Sequence, residues 1–319
     1  MNLIVSYLRP LPKKLNFVPN SQNIDAFYDY KTNCNMKDVC TNLQKLNNDA
    51  LYEAIACFSK HHYKYRDILY NNLVTLGLIY DEKNTKASGG YIYGRDFNSI
   101  SITLESSMYH EVIHLASTFF DDKESIGYSG FTVDFFNKRF MGTMGEGLTE
   151  GYTSLLEHRD KNEPLYMSYS GNPKEPYGAR GYLYALVLVE QLEIMLGKDT
   201  LEEIFFNKDK LVLFNFFRKY AEDKEILKFY KNVDIATFAS DYRSSILNNK
   251  VLEAQQFIEK ICLLCNKDKI EELRKKQLYK TINPKGYLVN EGIVEEQEQV
   301  YYTLYNEEVR KWIIYMLEK

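Results

Sequence analysis

Residues 109–115, YHEVIHL, place two of the five histidines of the chain four positions apart, with a glutamate directly after the first. Side chains at i and i+4 lie one above the other on an α-helix, so His110 and His114 can direct two imidazole nitrogens at one ion. Glu111 is turned by about 100° around the same helix, and from there its carboxylate can reach a water beside that ion. The spacing therefore requires a helix here and predicts metal binding, with Zn²⁺ (one per chain) as the expected ion.

A second helix is expected to carry the third ligand. Residues 145–158, GEGLTEGYTSLLEH, hold Glu146 and Glu150 four positions apart on one face. One carboxylate can bind the metal while the other accepts the N–H of a ligating histidine. Gly147 and Gly151 would let the helix approach a neighbour closely. The apolar side chains expected to pack on the opposite side are Leu148, Tyr152, Leu155 and Leu156.

HEVIH followed by GEGLTEGYT resembles the gluzincin metallopeptidases, in which an HExxH helix is followed by a glutamate-bearing helix. The resemblance covers about residues 98–160 and implies a zinc hydrolase with Glu111 as general base. It also implies that Glu146 is the third zinc ligand. Glu150 then matches the carboxylate that supports the ligands in the thermolysin-like and lethal factor-like branches. The reverse assignment, with Glu150 as the ligand, stays open.

The chain departs from the family pattern in two places. Gly145 stands where the family often has Asn, and thirty-one residues, 115–145, separate His114 from Glu146. No Gly-x-Met-Glu-Asn stretch, the amino-terminus-binding signature of one aminopeptidase branch, precedes the histidine pair. An endopeptidase is therefore the expected activity.

The resemblance implies that zinc-bound water attacks a peptide carbonyl, while Glu111 takes its proton and passes it to the leaving amine. The oxyanion formed in this reaction usually needs a further hydrogen-bond donor. Gluzincins often supply that donor from a segment after the second helix. Residues 175–184, EPYGARGYLY, offer Tyr182 as the preferred candidate and Tyr177 as the next.

Residues 91–104, YIYGRDFNSISITL, predict two short strands around a turn, at 91–93 and 99–104. In the family, an edge strand just before the HExxH helix typically holds the substrate by strand addition. The second strand has this position, and main-chain pairing suits a peptide ligand. The predicted substrate-binding residues are Ser99, Ile100, Ser101 and Ile102.

The whole pattern predicts an α+β fold that is mostly α-helical, because residues 37–80 and most of the chain beyond 181 carry helical spacing. A small sheet, with its edge strand packed on the HExxH and glutamate-bearing helices, is expected between them. We expect a mainly helical N-terminal region at 1–97, a catalytic core at 98–200 and a helical C-terminal region at 201–319. No linker marks these boundaries.

Charge and composition limit the partners. The net charge is −4 and no long basic stretch occurs, so we expect a peptide or protein substrate and neither nucleic acid nor membrane. The N-terminus lacks the pattern of a signal peptide, and the longest apolar run, at 182–189, is far below the roughly 18 residues of a spanning helix, which favours the cytoplasm. CLLC at 262–265 lies in a helical pattern without a second CxxC, which predicts buried thiols.

Two alternatives share the motif residues. A helical binding or regulatory protein could keep the zinc without hydrolysis, and a zinc hydrolase could act on a bond other than a peptide bond. His158 follows the two glutamates by two to three turns and is expected at the surface.

Overall fold

The computed structural model describes residues 36–276, apart from 81–88, 95–96, 124, 136–141, 164, 168–177, 180–181, 208–210 and 239–244. These residues form eleven α-helices, a three-stranded sheet, a four-stranded sheet and a two-stranded pair. The predicted α+β, mostly helical class is therefore confirmed. The chain divides into two compact units, Met1–Asp121 and Asp122–Lys319. The three regions expected from the sequence stay a prediction. None of the described helices is long and apolar enough to cross a membrane.

The described part of the first unit contains four α-helices, and the last of them carries the histidine pair. They are α1 (Met36–Leu46), α2 (Asp49–His61), α3 (Arg66–Leu73) and α4 (Met108–Ala116). Helix α4 packs against α2 and α3 on one side and against two strands on the other. Every residue of α4 except His110 is consequently buried. A helix enclosed in this way holds its side chains in fixed directions, which suits a binding site.

The three-stranded sheet of this unit comprises β1 (Leu76–Tyr80), β2 (Gly89–Tyr93) and β3 (Asn98–Ile102). Its order is β1-β3-β2, with β1 parallel and β2 antiparallel to β3. Ile100 and Ile102 are fully buried, while Ser99 and Ser101 are half-buried. This alternation is the one expected of a strand with one face on the core.

Residues 99–104 do not form an edge strand, and that prediction is wrong. Ser99, Ile100, Ser101 and Ile102 pair with β1 on one side and with β2 on the other. No ladder of backbone groups is therefore left on β3 for a substrate strand. The prediction failed because LGLIY, the end of a run interpreted as helical, forms strand β1 and pairs with the outer side of β3. A short apolar run cannot be assigned to strand or helix by periodicity alone.

Helix α4 ends at Ala116, two residues after His114. The Asn72 side-chain amide donates to the carbonyls of Leu115 and Thr118, at 2.7 and 2.9 Å, and satisfies groups that a helix end leaves open. Strand β4 (Thr118–Asp121) then begins. At the other end a 3₁₀ turn leads into α4, and the side chain of Ser107 makes no capping hydrogen bond.

The second unit begins with strands and continues with helices. Strands β5 (Ile126–Ser129), β6 (Thr132–Phe135) and β7 (Gly142–Met144) pair antiparallel in chain order. The short strands β8 and β9 are Tyr166–Met167 and Gly178–Ala179. The helices are α5 (Glu146–Asp160), α6 (Leu183–Leu196), α7 (Lys198–Phe206), α8 (Val212–Arg218), α9 (Asp223–Phe238), α10 (Ser245–Cys265) and α11 (Ile270–Lys275).

Helix α5 carries Glu146 and Glu150 and packs against α6 and α9. A Cβ atom at Gly147 would lie 2.6 Å from Thr237 Oγ1 and 2.9 Å from the carbonyl oxygen of Val233, both on α9. One at Gly151 would lie 2.7 Å from the carbonyl carbon of Ala185 on α6. The predicted close approach at both glycines is thus confirmed. The predicted apolar face is also confirmed, since Leu148, Tyr152, Leu155 and Leu156 are buried.

We expect Gly151→Ala to lower the free energy of unfolding by about 1–3 kcal/mol, the usual range for overpacking. Replacing a helix-interior glycine by alanine normally stabilises a helix by up to about 1 kcal/mol. Here the new methyl group would meet the Ala185 backbone, including its carbonyl oxygen at 2.8 Å, which cannot rotate away. The midpoint of urea unfolding shows which is larger, the destabilisation by the steric conflict or the stabilisation of the helix by alanine. A midpoint at or above that of the native chain would contradict the tight α5–α6 contact.

Candidate metal centre

The two imidazoles of α4 point at one place. The Nε2 atoms of His110 and His114 lie 3.2 Å apart. Two nitrogens about 2.0–2.1 Å from one tetrahedral ion would lie about 3.3 Å apart. His114 is buried and His110 is half-buried, so the pair faces inward with one partly open side. The spacing fits two ligands of a single ion.

Glu150 of α5 completes a group of three. One ligand atom from each of His110, His114 and Glu150 lies within 4.8 Å of the other two. This is the group among the described residues whose geometry could hold a metal ion. Two imidazoles and one carboxylate are donors that divalent transition metals accept.

Glu146 does not belong to this group, although the resemblance implied that it is the third ligand. It is the first residue of α5, half-buried and one turn before Glu150. Burial, followed by the charges of Asp234, Glu150 and Asp134, raises the pKa of Glu146 to about 8. A ligand carboxyl must lose its proton to bind a metal, so this pKa does not decide between the two glutamates, whereas the positions of the ligand atoms do distinguish them. The geometry therefore favours Glu150 as the third ligand.

The start of α5 is held by an aspartate distant in the sequence. Asp234, buried on α9, accepts hydrogen bonds from the backbone N–H groups of Gly145 and Gly147, at 3.0 and 2.8 Å. Gly145 has φ +84°, and a Cβ atom there would collide with the carbonyl oxygen of Phe131. No local side chain caps this helix. Asp234 thus takes the role of an N-cap residue, with its negative charge at the positive end of the helix dipole.

Thr149, next to Glu150, anchors the same turn of α5 to the strands. Its hydroxyl oxygen accepts a hydrogen bond from the backbone N–H of Phe131 at 2.9 Å. The hydroxyl lies 3.1 Å from the carbonyl oxygen of Ser129, to which it donates. Together with the Asp234 cap, this contact restricts both sliding and rotation of the segment that carries Glu150.

The carboxylate of Glu111 lies against the backbone of strand β2 at Gly89. Glu111 is only 5% exposed. A Cβ atom built on Gly89 would lie 2.5 Å from Glu111 Oε1 and 3.2 Å from its carboxyl carbon. The backbone of β2 therefore forms one wall of the space that Glu111 occupies beside the histidine pair.

Tyr91 of β2 lies against the second histidine. The rings of Tyr91 and His114 are stacked, with centroids 6.3 Å apart and planes 8° from parallel. The Tyr91 hydroxyl donates to Asn98 Oδ1 at 2.5 Å, which fixes the ring along the sheet. Burial raises the pKa of Tyr91 far above its usual value, so the hydroxyl keeps its proton. The sequence placed Tyr91 in a strand but gave no sign of this contact.

The other predicted residues have mixed outcomes. Tyr182 is half-buried and directly precedes α6, and its role as oxyanion donor stays a prediction. Tyr177 lies outside the described residues. His158 is buried, with Nδ1 2.8 Å from the Ser154 carbonyl oxygen, so its expected surface position is wrong.

The prediction of buried thiols at CLLC is confirmed for Cys262 and wrong for Cys265. Cys262 is fully buried, and its thiol lies 3.3 Å from the carbonyl oxygen of Asn266, to which it donates. Burial raises the pKa of Cys262 to about 11. Cys265 is half-buried, and both thiols are free. Neither belongs to the metal-binding group found among the described residues.

The likeness to the gluzincins thus rests on the motif residues of α4 and α5. Comparisons with protein-family models, with curated proteins and with solved structures found no match to this chain.

Proposed function

We propose that this protein is a zinc-dependent metallopeptidase of the gluzincin type and that it acts as an endopeptidase. The observation that carries the proposal is the triad of His110, His114 and Glu150, whose ligand atoms lie within 4.8 Å of one another, with Glu111 adjacent on α4. This combines a metal-binding group with a buried carboxylate of suitable position to act as a base.

Zinc is the ion that suits this donor set best. Two histidines and one glutamate leave one tetrahedral position open, as catalytic zinc sites do, whereas structural zinc sites have four protein ligands. A bound Zn²⁺ would polarise the substrate carbonyl and lower the pKa of a water molecule. The Nε2–Nε2 distance of 3.2 Å is compatible with both imidazoles binding one such ion.

The side chains of the chain supply the proton transfers and the orientation. Glu111 takes the proton from the attacking water and delivers it to the leaving amine. Tyr91, stacked on His114, keeps that imidazole in the orientation needed for ligation. Tyr182 is the proposed donor to the oxyanion.

The proposed substrate is an extended peptide bound along β2. Strand β2 is an edge of the three-stranded sheet and adjoins both Glu111 and His114. An exposed edge offers main-chain donors and acceptors to a peptide strand. Strand β2 thereby takes the part that the sequence had assigned to residues 99–104. The cytoplasm and the lack of nucleic-acid and membrane partners stay predictions.

The test is the zinc content per chain of three proteins: native, Glu150→Ala and Glu146→Ala. We expect about one zinc ion per native chain. Glu150→Ala should lose the metal because it removes a ligand, while Glu146→Ala, one turn away on the same helix, serves as the matched control and should retain it. The native protein should also cleave a peptide library, stop when a chelator removes zinc and recover when zinc is restored.

The results separate the hypotheses clearly. Loss of zinc chiefly in Glu146→Ala would exchange the two glutamates and leave the enzyme proposal standing. A native protein purified without chelators that neither contains zinc nor takes it up on reconstitution would overturn the metallopeptidase proposal.

A further inference from the structure

Strand β2 carries two adjacent glycines whose surroundings differ sharply. A Cβ atom at Gly89 would lie 2.5 Å from Glu111 Oε1 and 3.1 Å from the Cβ of Ser107. A Cβ atom at Gly90 would meet nothing within 4 Å. The two positions are neighbours on one strand, yet only the first is crowded.

The backbone itself does not call for glycine at position 89. Gly89 is a strand residue that pairs with Ile102, and it is not among the described residues with positive φ. Any L-amino acid can adopt such a conformation. What a side chain at 89 would disturb is therefore the space next to it, which the Glu111 carboxylate fills.

We propose that Gly89 is a positioning residue for Glu111, because its missing side chain leaves the room in which the catalytic carboxylate lies. This inference rests on the proposed function, in which Glu111 is the general base. The closest conflict at 89 involves the end of the flexible Glu111 side chain, and the contact with Ser107 Cβ at 3.1 Å needs an adjustment of only a few tenths of an ångström. The strand is held by backbone pairing to β3. A methyl group at 89 consequently moves the carboxylate and leaves the strand in place.

The size of the expected effect follows from the distance. A normal contact between carbon and oxygen is about 3.5 Å, so the carboxylate has to move by about 1 Å. Glu111 is nearly fully buried, and this limits its choice of alternative positions. A misplacement of about 1 Å can cost about 10²-fold in rate when geometry controls the reaction. The three atoms nearest to the new methyl group belong to Glu111 and Ser107 and not to His110 or His114, so we expect metal binding to be retained.

The experiment compares Gly89→Ala with a control, Gly77→Ala, on the full-length zinc-loaded protein. Gly77 lies on β1 and not on the proposed peptide-binding strand, and a Cβ atom there would make only an ordinary contact, 3.7 Å from the carbonyl oxygen of Asn98. Gly89→Ala should lower kcat by about 10²-fold with little change in KM, and should retain its zinc and its urea unfolding midpoint. Gly77→Ala should match the native protein in all four measurements. In a Glu111→Asp background, whose shorter side chain the methyl group does not reach, Gly89→Ala should cause little further loss, because the two changes act on one interaction.

A crystal structure of Gly89→Ala supplies a readout that does not depend on turnover. It should show the Glu111 carboxylate displaced by about 1 Å and the imidazoles unmoved. If the native protein cleaves peptides and Gly89→Ala cleaves them equally well, the inference fails while the proposed function stands. Loss of zinc or of stability in Gly89→Ala, or an equal loss of activity in Gly77→Ala, would also overturn it. An inactive native protein, by contrast, overturns the proposed function itself, and the displaced carboxylate then remains as the test of position.

Discussion

The Glu111→Gln variant is expected to bind zinc like the native protein and to lose about 10²- to 10⁴-fold in kcat, the usual contribution of a general base. The amide has nearly the same size and shape as the carboxylate, so the buried space beside β2 stays filled. It cannot accept the proton of the attacking water. Glu111 is not one of the three residues that group around the metal position, so zinc should remain. Peptide cleavage rates and zinc content, measured on the same preparation, check both parts.

Glu105→Gln is the matched control for this variant. Glu105 lies in the 3₁₀ turn just before α4 and is exposed, so the same chemical change there should alter neither rate nor metal content. Turnover retained in Glu111→Gln would exclude Glu111 as the base. Zinc bound in both variants with no hydrolysis by the native protein would instead identify the zinc-containing binding or regulatory protein that shares these residues.

The parts of the fold that the sequence predicted are those determined by local spacing. The i,i+4 relation of His110 and His114 needs only a helix, and α4 supplies it. The apolar face of α5 and the close approach at Gly147 and Gly151 follow from the helical period in the same way. Such features depend on residues within one or two turns of each other, which is why periodicity detects them.

The features that the sequence missed depend on residues far apart. The position of β3 inside its sheet was decided by β1, more than 20 residues earlier, whose apolar run gave no distinct period. Glu146 and Glu150 lie on one face of one helix, so spacing could not choose between them, and the choice depended on which carboxylate approaches the imidazoles. The cap at Gly145 comes from Asp234, 89 residues later.

The Asp234→Ala variant should show the largest loss of stability among the substitutions considered. It removes the acceptor of two hydrogen bonds, from the N–H groups of Gly145 and Gly147, in a buried place. A buried donor left without a partner costs about 1–3 kcal/mol, so the free energy of unfolding should fall by about 2–5 kcal/mol. One effect opposes this loss, since Asp234 also repels Glu146. That relief is small near pH 7, because Glu146, with its pKa raised to about 8, is mostly uncharged there.

Asp223→Ala is the control for this prediction, because Asp223 lies on the same helix α9 in an exposed ion pair with Arg218. Such pairs contribute about 0–1 kcal/mol, so this variant should stay close to the native protein in urea unfolding.

Zinc affinity, measured by competition with a chelator, should fall in Asp234→Ala and not in Asp223→Ala, since Glu150 lies one turn beyond the lost cap. Asp234→Asn keeps one acceptor oxygen, so its urea unfolding midpoint and its zinc affinity should lie between those of Asp234→Ala and Asp223→Ala. If Asp234→Ala unfolds at the same urea concentration as Asp223→Ala, the capping role of Asp234 is refuted, and the position of α5 must then depend on its contacts with α6 and on the Thr149 hydrogen bonds.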